Sequence, residues 1–359
     1  DIPVAHIDEN GRQLPQNSLT QPPNPKSKIQ NPKSDDPLQV LKTTFGYDSF
    51  RPLQDAVIQS VLAKQDTLAI MPTGSGKSLC YQLPALMFEG LTVVVSPLIA
   101  LMEDQVMQLQ ELGVPAAFLN STLGPVQQGY IENQVRSGQV KLLYAAPETL
   151  LRPQTVALLE SCHVDCFTID EAHCISEWGH DFRPEYRQLA GLRGRLPNAV
   201  CVAVTATATE RVQTEIKESL AIPDAGEFIA SFNRDNLFLA VEPKQNGLQQ
   251  VADFLVDQQG NAGIVYCSTR KNTEMVANYL ESVGYPALAY HAGMSDEARR
   301  VHQRRFVYEE GLIMVATVAF GMGINKSNVR FVVHYDLPKN LESYYQQIGR
   351  AGRDGLRSD

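Results

Sequence analysis

The sequence has little positive charge and few cysteines. Its 31 Lys and Arg are outnumbered by 40 Asp and Glu, so overall attraction does not bind this chain to nucleic acid. Of its six cysteines, only Cys162 and Cys166 lie close together, without the second pair that a four-ligand zinc site requires. We therefore expect buried thiols in a reducing, intracellular compartment.

Long apolar runs are also missing. No stretch approaches the length that crosses a bilayer, and the first residues form no secretory hydrophobic segment. The predicted partners therefore do not include a membrane. With 43% hydrophobic residues, however, a chain of 359 residues can build more than one globular core.

Residues 1–36 are rich in Pro, Asn, Gln, Ser and Lys and show no apolar periodicity. The motif Asn-Pro-Lys-Ser occurs at Asn24 and again at Asn31, a short low-complexity repeat that cannot bury a core. We predict a disordered tail at 1–36 and ordered structure from Pro37 onward.

Beyond Pro37, short β-branched or apolar runs alternate with segments of helical periodicity. Strands are predicted at 67–71, 91–96, 116–119, 140–145, 164–169, 199–205, 237–241, 263–266, 287–290, 312–316 and 329–335. Helices are predicted at 98–112, 125–137, 209–220, 246–258, 270–283, 295–308 and 341–348. This alternation predicts an α/β fold of two lobes, 37–232 and 233–359, each a mostly parallel sheet flanked by helices. A ligand site is expected in the cleft beyond the strand ends.

The stretch Met71-Pro-Thr-Gly-Ser-Gly-Lys-Ser78 lies between a predicted strand and a helical segment. Its two glycines let backbone N–H groups turn toward an anion, and the helix N-terminus adds partial positive charge. Lys77 would reach the β- and γ-phosphates of a nucleotide, and the Ser78 hydroxyl would bind Mg²⁺. Met71 departs from the usual first glycine. The predicted phosphate contacts are Thr73, Gly74, Ser75, Gly76, Lys77 and Ser78.

A second chemical signal, Asp170-Glu-Ala-His173, follows the predicted strand 164–169. Alone, adjacent acids after a strand are usual at a helix N-terminus. In the same lobe as Lys77 and Ser78, they predict a nucleotide-hydrolysing site. Asp170 would hold Mg²⁺ through water, and Glu171 would orient and deprotonate the attacking water.

Two further motifs follow these in the chain, Val204-Thr-Ala-Thr-Ala-Thr209 and Gln346-Gln-Ile-Gly-Arg-Ala-Gly-Arg353. The four motifs, in this order, resemble the motif series of superfamily 2 helicases. More narrowly, the stretches 45–54, 174–184 and 315–326 resemble the RecQ family of DNA helicases, including its bacterial members. The resemblance begins near residue 38, and Met71 is ordinary in that family. It implies two RecA-like lobes with ATP and Mg²⁺ bound in the cleft between them.

The resemblance also implies roles for individual residues. Tyr47 and Arg51 would sandwich the adenine, and Gln54 would bond its edge; an aromatic ring and a guanidinium both stack on a flat base. Arg350 and Arg353 would approach the γ-phosphate from the second lobe, because the rigid guanidinium fork matches phosphate oxygens. The predicted catalytic residues are Lys77, Asp170, Glu171, His173, Gln347, Arg350 and Arg353.

Trp178 is the only tryptophan of the chain, and polar residues surround it in the sequence. A partly exposed ring would stack on an unpaired base, contributing ~1–3 kcal/mol without reading sequence. Ordinary packing is the alternative. The resemblance implies that this loop senses DNA and couples its binding to hydrolysis. The predicted DNA contacts are Trp178, His180, Phe182 and Arg183 in the loop and, mostly to phosphates, Ser96, Ser268, Thr269, Arg270 and Thr317.

The resemblance implies an ATP-dependent motor that moves 3′ to 5′ on single-stranded DNA, unwinds partly duplex DNA and serves recombination and repair. We expect a cytoplasmic, nucleoid-associated monomer. Family members commonly continue past the motif at 346–353 into a zinc region and a winged helix, and our expectation from the sequence is a helicase core without them. Three alternatives stay open: a DNA-stimulated ATPase without processive unwinding, an RNA-dependent helicase of the same superfamily, and a non-catalytic, nucleotide-gated DNA-binding module.

Overall fold

A computed structural model describes residues 35–179, 181–231, 233–321 and 326–359. The tail predicted at 1–36 lies outside them except for its last two residues, as does His180. The strands are β1 Thr67–Ile70, β2 Leu91–Val95, β3 Ala116–Leu119, β4 Leu142–Ala145, β5 Val164–Ile169, β6 Val200–Thr205, β7 Gly226–Ile229, β8 Ala262–Tyr266, β9 Ala287–Tyr290, β10 Ile313–Ala316 and β11 Val329–His334.

Helices connect most of these strands. The α-helices are α1 Pro37–Val40, α2 Gln54–Leu62, α3 Leu79–Met87, α4 Ile99–Glu111, α5 Pro125–Arg136, α6 Pro147–Leu150, α7 Pro153–Glu160, α8 Pro184–Gly194, α9 Glu210–Leu220, α10 Gly247–Val256, α11 Arg270–Ser282, α12 Asp296–Tyr308 and α13 Leu341–Ile348. A π-helix spans Leu41–Phe45 and a 3₁₀ helix spans Ala172–Ile175.

The first sheet has seven parallel strands in the order β3-β4-β2-β5-β6-β1-β7. Successive residues along β1 and just beyond it point to opposite faces: Leu68 and Ile70 join one buried apolar cluster, whereas Ala69 and the following Met71 join another. Both faces are therefore covered, which confirms the predicted parallel sheet and explains why its strands are apolar throughout.

The strand order places the two chemical motifs at one edge. The loop at 71–78 follows β1 and the acids follow β5, and β6 lies between these two strands. Because the strands are parallel, all three carboxyl ends meet at the same edge of the sheet, where ligands bind in open α/β sheets.

The second sheet contains four parallel strands in the order β11-β8-β10-β9. Its two faces are covered by separate apolar clusters, one including Val265 and Phe331 and the other including Ile264 and Phe306. The chain thus has two parallel-sheet lobes flanked by helices, as predicted.

Two details differ from the sequence prediction. Residues 237–241 form no strand among the described residues; only Leu237 makes an isolated bridge, to Ser358. Their apolar composition favours a strand, but a strand also needs a neighbour along its length, and Val241 is 86% exposed. Conversely, β7 was not predicted, because as an edge strand its residues alternate between half-buried and exposed.

Local sequence explains where several helices begin. At the starts of α9, α12 and α13, the side chains of Thr209, Ser295 and Asn340 each accept a hydrogen bond from a backbone N–H of the first turn. Proline occupies the start of α5, α7 and α8, where its missing N–H costs no helical hydrogen bond. These signals fix the turns that lead away from the strand ends.

Candidate functional site

The loop at 71–78 connects the end of β1 to the start of α3. Gly74 and Gly76 have φ of +85° and +83°, in the left-handed region that glycine adopts without strain. A Cβ added at Gly76 would lie 2.5 Å from Nε2 of Gln54, so this position also has no room for a side chain. The predicted strand, glycine loop and helix are therefore confirmed as local structure.

Two of the residues predicted to clamp adenine support this loop instead. Gln54 donates from Nε2 to the carbonyls of Ser75 and Gly76, at 3.1 Å each, and its Oε1 accepts from the Arg51 N–H at 2.8 Å. The Arg51 guanidinium donates to the Gly74 carbonyl. Their contacts to adenine stay a prediction, because in the structure the Gln54 and Arg51 side chains form hydrogen bonds within the protein.

Tyr47, the third member of that predicted clamp, is 56% exposed. The sequence alone would allow it to be a core aromatic, and this exposure excludes that reading. Its ring is available to a planar ligand at the surface of the first lobe.

The acids follow β5 as predicted. Asp170 is buried, and burial and the neighbouring charge of Glu171 raise its pKa to about 7, although Lys77 opposes the shift. Burial lowers the pKa of Lys77, while Glu171 and Asp170 oppose that change. The structure therefore brings one cation and two acids from separate motifs into one electrostatic group.

His173 joins this group to the end of β6. Its ring is buried, with Nδ1 at 2.9 Å from Oγ1 of Thr205 and 3.3 Å from Oε2 of Glu171. Thr205 in turn donates to the Thr207 carbonyl at 3.1 Å. Glu171 itself has φ of +50°, an uncommon backbone conformation for a side-chain-bearing residue. His173 therefore has the geometry of a residue that holds Glu171 in place.

Oxygen donors suited to Mg²⁺ lie on the same edge. Gln105 of α4 donates to the Ser78 hydroxyl at 3.3 Å, and Asp170 presents a buried carboxylate. No group of three or more His, Cys, Asp or Glu that could hold a metal occurs within the described part of the chain. Mg²⁺ at phosphate sites takes only one or two carboxylates and keeps several waters, so the pair Ser78 and Asp170 fits this ion. No motif in the sequence indicated that Gln105 would lie at this site.

The two predicted arginine contacts have different surroundings. A Cβ on Gly74 would lie 3.0 Å from Cγ of Arg353, so the Arg353 side chain packs on the phosphate loop. Burial and the charge of Arg350 lower the pKa of Arg353 to about 10. Arg350 is 5% exposed and donates to the Gly321 carbonyl within its own lobe. Gln347 is also buried, with Oε1 at 2.8 Å from Nε2 of His334.

A further arginine, Arg234, reaches the phosphate loop without any sequence motif to indicate it. It lies in the segment between β7 and α10, and its guanidinium donates to the Thr73 carbonyl at 3.3 Å and the Gly352 carbonyl at 2.7 Å. It therefore contacts both lobes.

Trp178 is 58% exposed, which excludes the alternative of ordinary core packing. The guanidinium carbon of Arg211 lies 3.6 Å from the centre of its ring, a cation–π contact that sequence reasoning missed. The neighbouring backbone packs tightly against the acidic motif, because a Cβ on Gly179 would lie 2.2 Å from the carbonyl oxygen of His173. The loop thus contacts the backbone of the motif at 170–173 directly, at His173.

Arg183 and Phe182, the other predicted DNA contacts of this loop within the described residues, contact the protein itself. The Arg183 guanidinium donates to Asp181 at 3.1 Å and to the Pro97 carbonyl at 2.8 Å. Phe182 lies 5.1 Å from the guanidinium of Arg187. Ser96 is 1% exposed, and this burial argues against its predicted contact with a DNA phosphate.

The predicted contacts of the second lobe lie just beyond strand ends. Ser268, after β8, donates from its N–H and its hydroxyl to Asp336, each at 2.9 Å. Thr269 caps α11 by accepting from the Asn272 N–H at 3.1 Å, and Arg270 beside it is exposed. Thr317 follows β10 and is half-buried. The structure brings these residues to one edge, and their contacts to DNA stay predictions.

No helix in the described ranges has both the length and the apolar content to cross a membrane.

Two family models match the chain in order. The DEAD/DEAH box helicase family matches residues 51–216, and the helicase conserved C-terminal domain matches residues 246–355. The first match includes the phosphate loop and the acids, and the second includes the arginine turn.

Relatives named ATP-dependent DNA helicase RecQ match most of the chain. The Haemophilus influenzae protein is 50% identical over 322 residues, covering 90% of this chain and 52% of that protein. The Bacillus subtilis protein is 46% identical, covering 89% of this chain and 54% of that protein. ATP-dependent DNA helicase Q1 of Mus musculus is 40% identical, covering 89% and 51%. The chain spans about half the length of these relatives.

Solved structures with the same fold include the DEAD-box helicase Mss116 bound to single-stranded RNA, with a TM-score of 0.72 and 18% identity over 92% of this chain and 73% of that chain. The DUF1998 helicase MrfA bound to DNA and AMPPNP has a TM-score of 0.72 and 20% identity, covering 90% and 49%. At these identities the likeness shows the two-lobe helicase fold.

Proposed function

Because the chain belongs to the RecQ family of ATP-dependent DNA helicases, we propose that it is the ATP-hydrolysing motor of a DNA helicase. It uses ATP and Mg²⁺, acts on single-stranded and partly duplex DNA, and moves 3′ to 5′ in recombination and repair. It works as a cytoplasmic, nucleoid-associated monomer.

One observation carries this proposal: cations from three parts of the chain converge on the phosphate loop. Lys77 lies in the loop, Arg353 packs on Gly74, and Arg234 donates to the Thr73 carbonyl. Burial lowers the pKa of each of these three groups. Asp170 and Glu171 offset this effect at Lys77 only in part, since the pKa of Lys77 stays lowered, and a nucleotide triphosphate would supply further negative charge to the cluster.

The residues around the phosphate loop have different roles in hydrolysis. Lys77 and Arg353 stabilise the negative charge that spreads over the transferred phosphoryl group. Ser78 and Asp170 would hold Mg²⁺, which neutralises phosphate charge when bound. Glu171 orients a water and takes its proton, and His173 holds Glu171 in position. Because Arg353 and Lys77 belong to different lobes, hydrolysis requires the lobes to be closed.

DNA binding affects Asp170 and Glu171 through the loop that carries Trp178. A base stacked on the exposed ring would shift this loop, and the close packing of Gly179 on the His173 carbonyl transmits the shift toward Glu171. Closing and opening of the cleft during each turnover then moves the motor along the strand.

Phosphate release from ATP and Mg²⁺ tests the proposal, measured with the chain alone, with single-stranded DNA and with RNA of the same sequence. We expect slow hydrolysis by the chain alone and stimulation of tenfold or more by DNA, because DNA binding would favour the closed arrangement of the lobes that hydrolysis requires. RNA is expected to stimulate less. No hydrolysis in any condition would support the non-catalytic alternative, and stronger stimulation by RNA would support the RNA-dependent one.

Strand separation is tested on a duplex with a 3′ single-stranded extension. Unwinding of this substrate and not of its 5′ counterpart is expected for 3′ to 5′ movement. Stimulated hydrolysis without unwinding of either duplex would support the alternative of a DNA-stimulated ATPase without processive unwinding.

A further inference from the structure

Arg234 lies in the segment that joins the two lobes, between β7 and α10. Its guanidinium donates to the Thr73 carbonyl of the phosphate loop at 3.3 Å. It also donates to the carbonyls of Ala351 and Gly352, at 3.3 and 2.7 Å, in the turn between Arg350 and Arg353. One side chain therefore bonds to the two backbone segments that have to meet for hydrolysis.

Neighbouring residues hold this arrangement in place. Asn236 accepts from Nε of Arg234 at 3.1 Å and donates to the Gly352 carbonyl at 3.0 Å. Gly352 has φ of +58°, and a Cβ there would lie 2.4 Å from Nδ2 of Asn236. The turn that leads to Arg353 is thus shaped around the Arg234 and Asn236 side chains.

Arginine suits this position chemically. Its planar guanidinium presents donors in several fixed directions, so it can bond to carbonyls of two segments at once, which the single ammonium of lysine does less well. These hydrogen bonds join a charged donor to carbonyl acceptors, and such bonds are stronger than neutral ones. Loss of the guanidinium would leave the Thr73 and Gly352 carbonyls without this shared partner.

We infer that Arg234 is a positioning residue: it fixes the turn carrying Arg353 against the phosphate loop and so sets the closed arrangement of the lobes. The inference rests on the proposed function, because it assigns Arg234 to the same hydrolytic site. Arg234 acts through the backbone of Thr73 and Gly352, and its loss therefore impairs turnover more than the initial capture of nucleotide.

Arg234→Gln tests this in the full chain, with Arg234→Lys as the conservative variant. The matched control is Arg193→Gln, because Arg193 also donates to a backbone carbonyl, that of Leu196 at 3.2 Å, and to Asp66 at 3.3 Å, but both partners lie in the first lobe and Asp66 precedes β1, at the edge opposite the phosphate loop. Three quantities are measured: kcat and KM for ATP with saturating single-stranded DNA, the affinity for a fluorescent ADP, and the radius of gyration from X-ray scattering.

Arg234→Gln is expected to lower kcat by about 10- to 100-fold, the cost of misplacing a catalytic group by about 1 Å. KM and ADP affinity should change by less than about threefold, because misplacing a catalytic group lowers kcat without weakening the binding of nucleotide in the ground state. The radius of gyration should rise as the lobes separate. Arg234→Lys should recover part of kcat, and Arg193→Gln should keep kcat close to that of the parent chain.

Two results would overturn the inference. If the parent chain hydrolyses ATP and Arg234→Gln keeps its kcat, or loses no more than Arg193→Gln does, Arg234 does not position the site although the proposed function stands. If the parent chain does not hydrolyse ATP, the proposed function fails, and scattering decides: an unchanged radius of gyration in Arg234→Gln would show that Arg234 does not hold the lobes together.

Discussion

The nucleotide edge and the predicted DNA edge of this molecule differ in how their side chains are held. At the nucleotide edge, Lys77, Asp170 and Arg353 come from separate motifs; Lys77 and Asp170 shift each other's pKa, and the charge of Arg353 lowers the pKa of Lys77. At the DNA edge, Arg183 and Ser268 are bonded to carboxylates of the protein itself.

The difference follows from the chemistry of the two ligands. A transferred phosphoryl group needs charges at fixed positions, so its residues must be convergent and constrained. A DNA backbone can be contacted by many exposed hydroxyls, N–H groups and rings, so no single one is indispensable. We therefore expect single substitutions to have large effects at the first edge and graded effects at the second.

The largest effect is expected from Lys77→Ala. Removing the cation that faces both acids should lower DNA-stimulated phosphate release by more than about 10³-fold, in the range of a lost phosphate-stabilising group. The control is Lys42→Ala, since Lys42 forms only an exposed ion pair with Asp48. Turnover near that of the parent chain in Lys77→Ala would remove the basis for the whole assignment.

Arg350→Ala should act on stability as well as on turnover. Arg350 is buried and donates to the Gly321 carbonyl, and loss of a charged hydrogen bond costs about 1.5–3 kcal/mol. The midpoint of thermal unfolding should fall by roughly 2–4 °C, since the unfolding entropy grows with chain length. Arg353→Ala, whose side chain lies at the lobe interface, should lower it less. Equal midpoints in the two variants would contradict the distinction between them.

Trp178→Ala tests whether the DNA edge has one dominant residue. Basal hydrolysis and the unfolding midpoint should persist, whereas stimulation by single-stranded DNA should fall by about 5- to 100-fold, corresponding to roughly 1–3 kcal/mol of stacking. Trp178→Phe keeps an aromatic surface and should retain most of the stimulation. A stimulation ratio that is unchanged in Trp178→Ala would refute the sensor role.

Ser268→Ala should have the smallest effect. Because the Ser268 hydroxyl donates to Asp336, its loss removes a hydrogen bond within the protein first. The affinity for single-stranded DNA, measured by fluorescence anisotropy, should change by less than about threefold, as for a surface hydrogen bond of ~0.5 kcal/mol. A loss of tenfold or more would mean that the second lobe binds DNA through a few essential hydroxyls.

Much of the fold could be predicted from sequence, because its strands are buried on both faces and read as continuous apolar runs. β3, β5 and β9 begin and end at the predicted residues. The same reasoning was wrong at 237–241 and missed β7, where the presence or absence of a neighbouring strand decides the structure. Neighbours of that kind are set by tertiary packing and leave no local signal.

Some residues of the candidate site could likewise be predicted from the sequence, and others could not. The glycine loop and the acids have sequence signals because their chemistry restricts the residue types. Arg234, Gln105 and Arg211 have none, since each matters through a partner distant in sequence: the Thr73 carbonyl, the Ser78 hydroxyl and the Trp178 ring. A single sequence cannot indicate such pairs without the fold.

The central claim is that the second lobe completes a site that the first lobe only begins. The most direct test is Arg353→Ala, measured for nucleotide affinity with a fluorescent ATP analogue and for kcat with saturating single-stranded DNA. We predict an affinity within about fivefold of the parent chain and a kcat lower by about 10³-fold or more, as for removal of an arginine finger. A kcat within tenfold of the parent chain, or a loss accounted for by weaker binding alone, would contradict the claim.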